Sequence, residues 1–454
     1  VSVPESAVAT EAPPPADEGA KGSKRALAVV IAIVFIDLLG FGVVIPILPF
    51  YVRSFAISDV FIGLLAASYS IMQFLAAPIL GRISDQRGRR PVIMLSLVGS
   101  VLAWTVFGLA GQVELALGTT AAVATLFASR MLAGAMGGNI ATAQAYIADI
   151  TPAERRAGAL GLIGASFSLG FIFGPAIGGL MASDPVVAGA RDVLPAIVPA
   201  TRFSLPSFTA AALSLVSLAF AFVFLREPDR KRSAAASSTT TLVSQFRGAL
   251  ADDALRGLVV AFFVVSVAFS GIQVMFIPFA ADIYGYGETE TALFLTYIGI
   301  LGTLNQGVVV GQLARRYSEA VLAVVGALGL MLALALLPFS PTLGGFLPAI
   351  AGPAWLTREL VALLLVGALL SFGNGMLNVS LSTLVSTSAS DDQQGNAFGV
   401  TQGAGSLGRT VGPPAMAALY VLAYWSPFVA GAVLVVPVIY ILAAVARRPR
   451  RVVS

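Results

Sequence analysis

Gly81-Arg82-Ile83-Ser84-Asp85-Gln86-Arg87-Gly88-Arg89-Arg90-Pro91 is a charged stretch set between two long apolar runs, in a chain that is only 11% charged. Both flanking runs are long enough to need a bilayer, so the stretch is expected to be a tight turn joining two membrane helices. Gly81 and Gly88 permit close backbone geometry there, and Pro91 suits the first turn of the next helix. Arg82, Arg87, Arg89 and Arg90 cluster around a single acid, Asp85. Any loop on the cytoplasmic side of a membrane collects Lys and Arg. That accounts for the arginines but not for the Gly-x-x-x-Asp-x-x-Gly frame around them, which is read as functional.

Working outward, the composition agrees. The 454 residues are 57% hydrophobic, with a mean hydropathy of +0.90, whereas a soluble domain carries about 25% charged residues. This is an all-α, polytopic membrane protein by composition. The chain contains no Cys and no His. Disulfides, thiolate or imidazole metal sites and His proton relays are therefore excluded, no cofactor is implied, and proton chemistry must run on carboxylates.

Val1–Arg25 (1–25) reads as a disordered tail without a signal peptide's apolar core. Spans are expected near Ala26–Tyr51, Val60–Leu80, Pro91–Gly111, Ala121–Tyr146, Gly158–Ala182 and Pro206–Leu225. After a polar link, Arg226–Arg256, come Leu258–Ala281, Thr291–Leu313, Ala320–Pro338, Leu360–Leu384, Ala397–Tyr420 and Pro427–Ala446. Each approaches or exceeds the ~20 residues that cross a bilayer. Twelve helices follow, in six-helix units 26–225 and 257–446, with a basic tail at 447–454. With both termini cytoplasmic, all but six of the 27 Lys and Arg fall on the inner side. The exceptions are Arg53, Arg191, Arg202 and Arg358 in outer loops, and Arg130 and Arg409 within spans. The basic balance is thus a topology signal, not a nucleic-acid footprint.

The halves look like copies. Gly81-Arg-Ile-Ser-Asp recurs weakly as Gly311-Gln312-Leu313-Ala314-Arg315, and Ser168-Leu-Gly-Phe-Ile-Phe-Gly-Pro175 recurs as Ser406-Leu-Gly-Arg-Thr-Val-Gly-Pro413. Duplicated six-helix units place a substrate site between them near mid-membrane and imply alternating access.

Asp37 is the one carboxylate well inside an expected span, where a charged Asp costs about 2.5–3.5 kcal/mol. Such a residue is a proton carrier, or else a structural ion pair or a cap at the Gly/Pro break that follows. Arg130 opens Arg130-Met-Leu-Ala-Gly134-Ala-Met-Gly137-Gly138, whose glycines let another helix approach closely. It cannot lose its proton, so it needs an acid, carbonyls or water, and Asp37 is the candidate partner. Gly170, Gly174, Gly178 and Gly179, with Pro175, form a smooth, kinkable stripe. Arg409 occupies the repeat position of Phe171. It is open to pairing with Asp37, to binding an anionic substrate, or to holding a helix interface. Amides at Gln73, Asn139, Gln273, Asn305, Asn374 and Asn378 are candidate cavity residues, with Gln144, Gln306 and Gln402 also inside spans. Tyr69, Phe74, Phe276 and Phe279 are aromatic candidates for the same cavity.

Taken together these residues resemble the major facilitator superfamily, and within it the twelve-helix drug/proton antiporters. Gly81–Arg90 looks like the superfamily's loop motif, Arg130–Gly138 its fourth-helix Arg motif, and Gly170–Gly179 its fifth-helix antiporter motif. Asp37 with Gly40, Pro46 and Pro49 is similar to the first-helix motif. Tyr146–Thr151 and Tyr69–Gly81 are similar to tetracycline/proton antiporters in particular. The resemblance implies two pseudo-symmetric bundles and efflux of amphipathic small molecules or drugs for protons by a monomer in the cell membrane. It implies that Asp37 and Arg130 couple protons, and that Gly170–Gly179 shapes the interface between halves. It also implies that Gly81, Asp85, Arg87, Gly88, Arg89 and Arg90 form a latch on the cytoplasmic side. The alternative is an organic-anion or metabolite transporter of the same fold without coupling through Asp37. The ninth span lacks the additional acid of the tetracycline exporters, which leaves the substrate open.

Overall fold

The computed structural model describes residues 16–137, 139–195, 198–228, 251, 253–348, 353, 356–388 and 394–447. Every regular element among them is helical. The first half contains α1 (Ala16–Val44), α2 (Leu48–Ser54), α3 (Val60–Arg87), α4 (Arg89–Leu117), α5 (Thr119–Met136), α6 (Asn139–Ile150), α7 (Ala153–Ala182), α8 (Asp184–Val193) and α9 (Ser204–Phe224). The second contains α10 (Asp253–Tyr284), α11 (Glu288–Leu304), a π-helical turn (Asn305–Val309), α12 (Val310–Leu313) and α13 (Glu319–Leu336). It continues through a 3₁₀ turn (Leu337–Phe339), α14 (Ser340–Gly345), α15 (Arg358–Ser388), α16 (Gln394–Leu422) and α17 (Ser426–Arg447).

Among the described residues, eleven helical segments are long and apolar enough to cross a membrane. The twelfth expected span is α16, 29 residues long. Its glycines together with Gln402, Ser406, Arg409 and Thr410 dilute its hydropathy. Helix α1 starts at Ala16 rather than Ala26, so residues 16–25 extend the first helix instead of forming a free tail. Residues 1–15, most of the central link and residues 448–454 lie outside the described residues.

The charged stretch is the main correction to the expected loops. It is not a turn of ten residues: α3 runs through Gly81 to Arg87 and α4 starts at Arg89, leaving Gly88 alone between them. Arg82–Arg87 contains no breaker, and Arg and Gln are good helix formers. Gly88 reverses the chain at φ 111°, a conformation that a side chain would strain.

Glycines set the helix spacing in the first half. A Cβ on Gly174 would stand 2.6 Å from the Gly42 Cα, and one on Gly42 would stand 2.6 Å from the Gly170 carbonyl oxygen. Gly178 faces the Val43 carbonyl in the same way. Three glycines of the stripe therefore press α7 against α1 within one half, and Gly179 alone meets the second half, at Ala292. Lipid tails are as apolar as the helices, so this close contact, rather than water exclusion, binds them together.

Two apolar cores each belong to a single half. The first is built around Ile33, Leu97, Tyr146 and Ile163, the second around Leu258, Leu330, Leu377 and Val438. A third core joins residues of both halves, including Val43, Trp104, Phe107, Phe276, Phe279, Ala417 and Tyr420. That shared core lies at the face opposite Gly88 and the Arg315–Arg316 loop. Towards the Gly88 face the halves diverge: a Cβ on Gly81, Gly158, Gly161, Gly164, Gly307, Gly311 or Gly399 would meet nothing within 4 Å. The molecule is closed at one face and open at the other.

Gly174→Val is expected to lower the thermal midpoint by several degrees and to reduce the monodisperse fraction on size exclusion. Gly81→Ala, made in open space, is expected to melt with the wild type.

Candidate functional site

A cavity of about 1580 Å³ opens between the halves. Helices α1 to α7 line it from one side, and α10, α11, the π-helical turn, α15 and α16 from the other. Most of the lining is aliphatic or aromatic, and the charged residues among it are Asp37, Arg130 and Arg409. A mostly apolar chamber with a few placed polar groups is the usual form of a small-molecule site.

Arg130 is buried on α5, at 6% exposure. Its guanidinium carbon lies 4.8 Å from the Tyr69 ring centroid, 5.8 Å from Trp104 and 5.9 Å from Phe41. Three ring faces from three helices surround the cation, and a desolvated contact of this type is worth about 2 kcal/mol or more. Among the described residues it makes no ion pair, and its buried Nε has no hydrogen-bond partner. The partner expected from sequence was Asp37; the structure supplies aromatic faces. Asp37 lines the same cavity one helical turn before Phe41, on the same side of α1. Tyr69 lies within electrostatic reach of Asp37, Arg130 and Arg409 together. Gly134 makes this geometry possible, since a Cβ there would overlap the Tyr69 carbonyl oxygen. Gly138 is outside the described residues.

Gln73, Gln273, Asn374, Asn378 and Arg409 line the cavity, as do Pro175, Gln144, Gln306 and Gln402. The Asn139 side chain lies outside the described residues. Asn305 does not line the cavity. It is fully buried, and its Nδ2 donates to the carbonyl oxygens of Phe372 at 2.9 Å and Ser371 at 3.3 Å. The π-helical turn explains this: the extra residue in the turn shifts the register, so Asn305 ties α11 to α15 and Gln306 takes the cavity position. Tyr69, Phe74 and Phe276 are also in the lining. Phe279 is instead core, packed edge-on against Phe428 and Tyr284.

At the open face, Asp85, Arg89 and Arg90 of the stretch expected to form a latch engage groups of the first half and of the start of the link that follows it. Arg89 pairs with Asp85 at 2.6 Å and with Asp149 at 2.9 Å, and its Nη1 donates to Ser84 Oγ at 2.7 Å. The Glu227 carboxylate accepts the backbone N–H groups of Arg89 and Arg90, at 2.6 and 2.8 Å. It thus satisfies orphan donors at the start of α4. Arg90 donates to the Phe222 carbonyl at 2.9 Å, while Arg87 is exposed. Glu227 is a member that motif reading leaves out, because it joins the cluster from beyond α9, and Asp149, on α6 in the Tyr146–Thr151 stretch, was not expected as a partner of Arg89.

The closed face carries a clasp with no signal in the sequence motifs. Arg53 Nε and Nη2 donate to Asp59 at 2.8 and 2.7 Å. Its Nη1 and Nη2 donate to Asp282 of the second half at 2.7 and 2.9 Å. The Tyr420 hydroxyl donates to the same carboxylate at 2.7 Å. Beside it, Arg202 pairs with Asp184 at 2.5 Å and approaches Glu288 across the interface at 3.7 Å. A bidentate, networked arginine outweighs an isolated surface pair.

The native chain has no Cys, so a single Cys at Ser70, in the cavity wall, reports access directly. An impermeant maleimide is expected to label it from the Gly88 face, and Asp282→Asn is expected to raise labelling from the opposite face at least threefold.

Residues 30–355 match the Major Facilitator Superfamily. The chain is 31% identical over 402 residues to the class C tetracycline resistance protein of Escherichia coli, covering 88% of this chain and 90% of that one. It is 28% identical over 391 residues to multidrug resistance protein 1 of Bacillus subtilis (strain 168), covering 85% and 87%. The crystal structure of the human organic anion transporter MFSD10 (TETRAN) superposes with a TM-score of 0.62 at 24% identity, covering 95% of this chain and all of that one, which bears on the fold alone.

Proposed function

The chain belongs to the Major Facilitator Superfamily, and on that premise we propose that it exports amphipathic small molecules in exchange for protons. It is a multi-pass transporter and not an enzyme. The observation that carries the reading is the central cavity, whose described lining holds one carboxylate, Asp37, together with a caged, permanently charged arginine, Arg130. Asp37 takes up and gives off the coupling proton, and Arg130 holds a fixed positive potential beside it. Relatives of both tetracycline- and multidrug-resistance type support export as the direction of transport.

The distribution of basic residues supports a cytoplasmic side for the termini and the Gly88 face, in the plasma or inner membrane of the cell. On that assignment the cavity is open to the cytoplasm, ready to load substrate, and the Arg53–Asp282 clasp seals the outside. Reversing access requires the clasp to part and the open side to close. Asp85, now paired with Arg89 in its own half, is the group that meets the second half when it closes. One chain encloses the whole cavity, which supports a functional monomer. One elementary charge moved through 100 mV supplies about 2.3 kcal/mol, enough for roughly a 50-fold gradient of a neutral substrate exchanged for one proton.

In proteoliposomes with an imposed pH gradient, Asp37→Asn is expected to reduce proton-driven transport at least tenfold and to abolish substrate-driven proton release. Proton release that survives the substitution removes Asp37 from the coupling role. Asp85→Asn is expected to insert and purify as the wild type while losing most transport; normal turnover by that variant would contradict the latch.

A further inference from the structure

We propose that Arg409 anchors an anionic group of the transported molecule, so that the cavity takes amphipathic aromatic monoanions. The inference rests on the reading of the cavity as the transport site.

Arg409 stands in the cavity wall on α16. Among the described residues its one hydrogen bond is from Nη2 to Ser406 Oγ, at 2.9 Å on the same helix, and it makes no ion pair. The rest of its guanidinium edge is left for whatever enters. An arginine in a membrane span is expensive and cannot neutralise itself by losing a proton. Helix-interface arginines recover that cost through carboxylates or carbonyls, and Arg409 has neither. Arg130 recovers it on three ring faces, and among the described residues Arg409 lies over no ring.

The repeat sharpens the contrast. Phe171, at the equivalent position in the first half, also lines the cavity and packs against Phe41, its ring centroid 6.4 Å away. At this repeat position one wall therefore presents a ring and the other a guanidinium. A flat apolar body suits the first wall, and a carboxylate or other planar anion suits the guanidinium fork of the second. Charge leads to the same class. With Asp37 ionised, the formal charges in the lining sum to +1, and a bound monoanion brings them to zero. That removes an uncompensated buried charge when the cavity closes.

The test is equilibrium binding to the purified full chain, without a pH gradient, of 1-naphthaleneacetate and its neutral isostere 1-naphthaleneacetamide. The wild type is expected to bind the acid at least tenfold more tightly than the amide. Arg409→Gln is expected to erase that preference while leaving amide binding within twofold, and Arg409→Lys to keep most of it. The proposal is overturned if the wild type does not prefer the acid, if Arg409→Gln retains the preference, or if acid and amide weaken together. Because no proton gradient is present, a failure of coupling through Asp37 shows up only in the vesicle assay and is distinguishable from a failure here.

Discussion

A guanidinium buried in a bilayer-spanning bundle must be compensated, and the arrangement around Arg130 follows from that constraint. Its charge is permanent, so the fold surrounds it with electron-rich surface: Tyr69 from α3, Trp104 from α4 and Phe41 from α1. Bringing three helices to one cation requires close backbone approach. Gly134 lets α5 meet the carbonyl of Tyr69, and Gly42, Gly170 and Gly174 let α1 meet α7. Asp37, one turn before Phe41 on α1, lines the same cavity as that cation.

The same bundle divides its remaining polar contacts between two faces. At the closed face, Arg53, Asp282 and Tyr420 tie the halves together over a shared apolar core. At the open face, Arg89 pairs with Asp85 and Asp149, and Glu227 accepts the N–H groups that open α4. Neither set spans the membrane, so one can separate while the other engages. The mainly intra-half packing of the remaining cores lets each half move as a body.

Much of this was legible in the chain. Apolar runs of bilayer length dictate helices, because no other element satisfies its backbone in lipid. Lone charges inside those runs, Asp37, Arg130 and Arg409, stand out because each is costly, and all three line one cavity. Asn305 was misread because span-level reading assumes regular helical periodicity, and one π-helical turn rotates that side chain out of the cavity. Gly81 was misread as a turn residue because glycine permits tight geometry without requiring it; α3 continues through it to Gly88.

By itself, the sequence determined the membrane-spanning helical class, the duplicated halves and which charges would be exceptional, since hydropathy and the cost of intramembrane charge act locally along the chain. Tertiary structure alone decided what compensates those charges. The aromatic cage draws on residues far apart in sequence, and the Arg53–Asp282 clasp joins groups 229 residues apart. The Arg89 cluster recruits Asp149 from α6 and Glu227 from beyond α9. Such contacts depend on helix spacing and register, and these are set by glycine contacts and a π-helical turn that become visible only when the helices are packed.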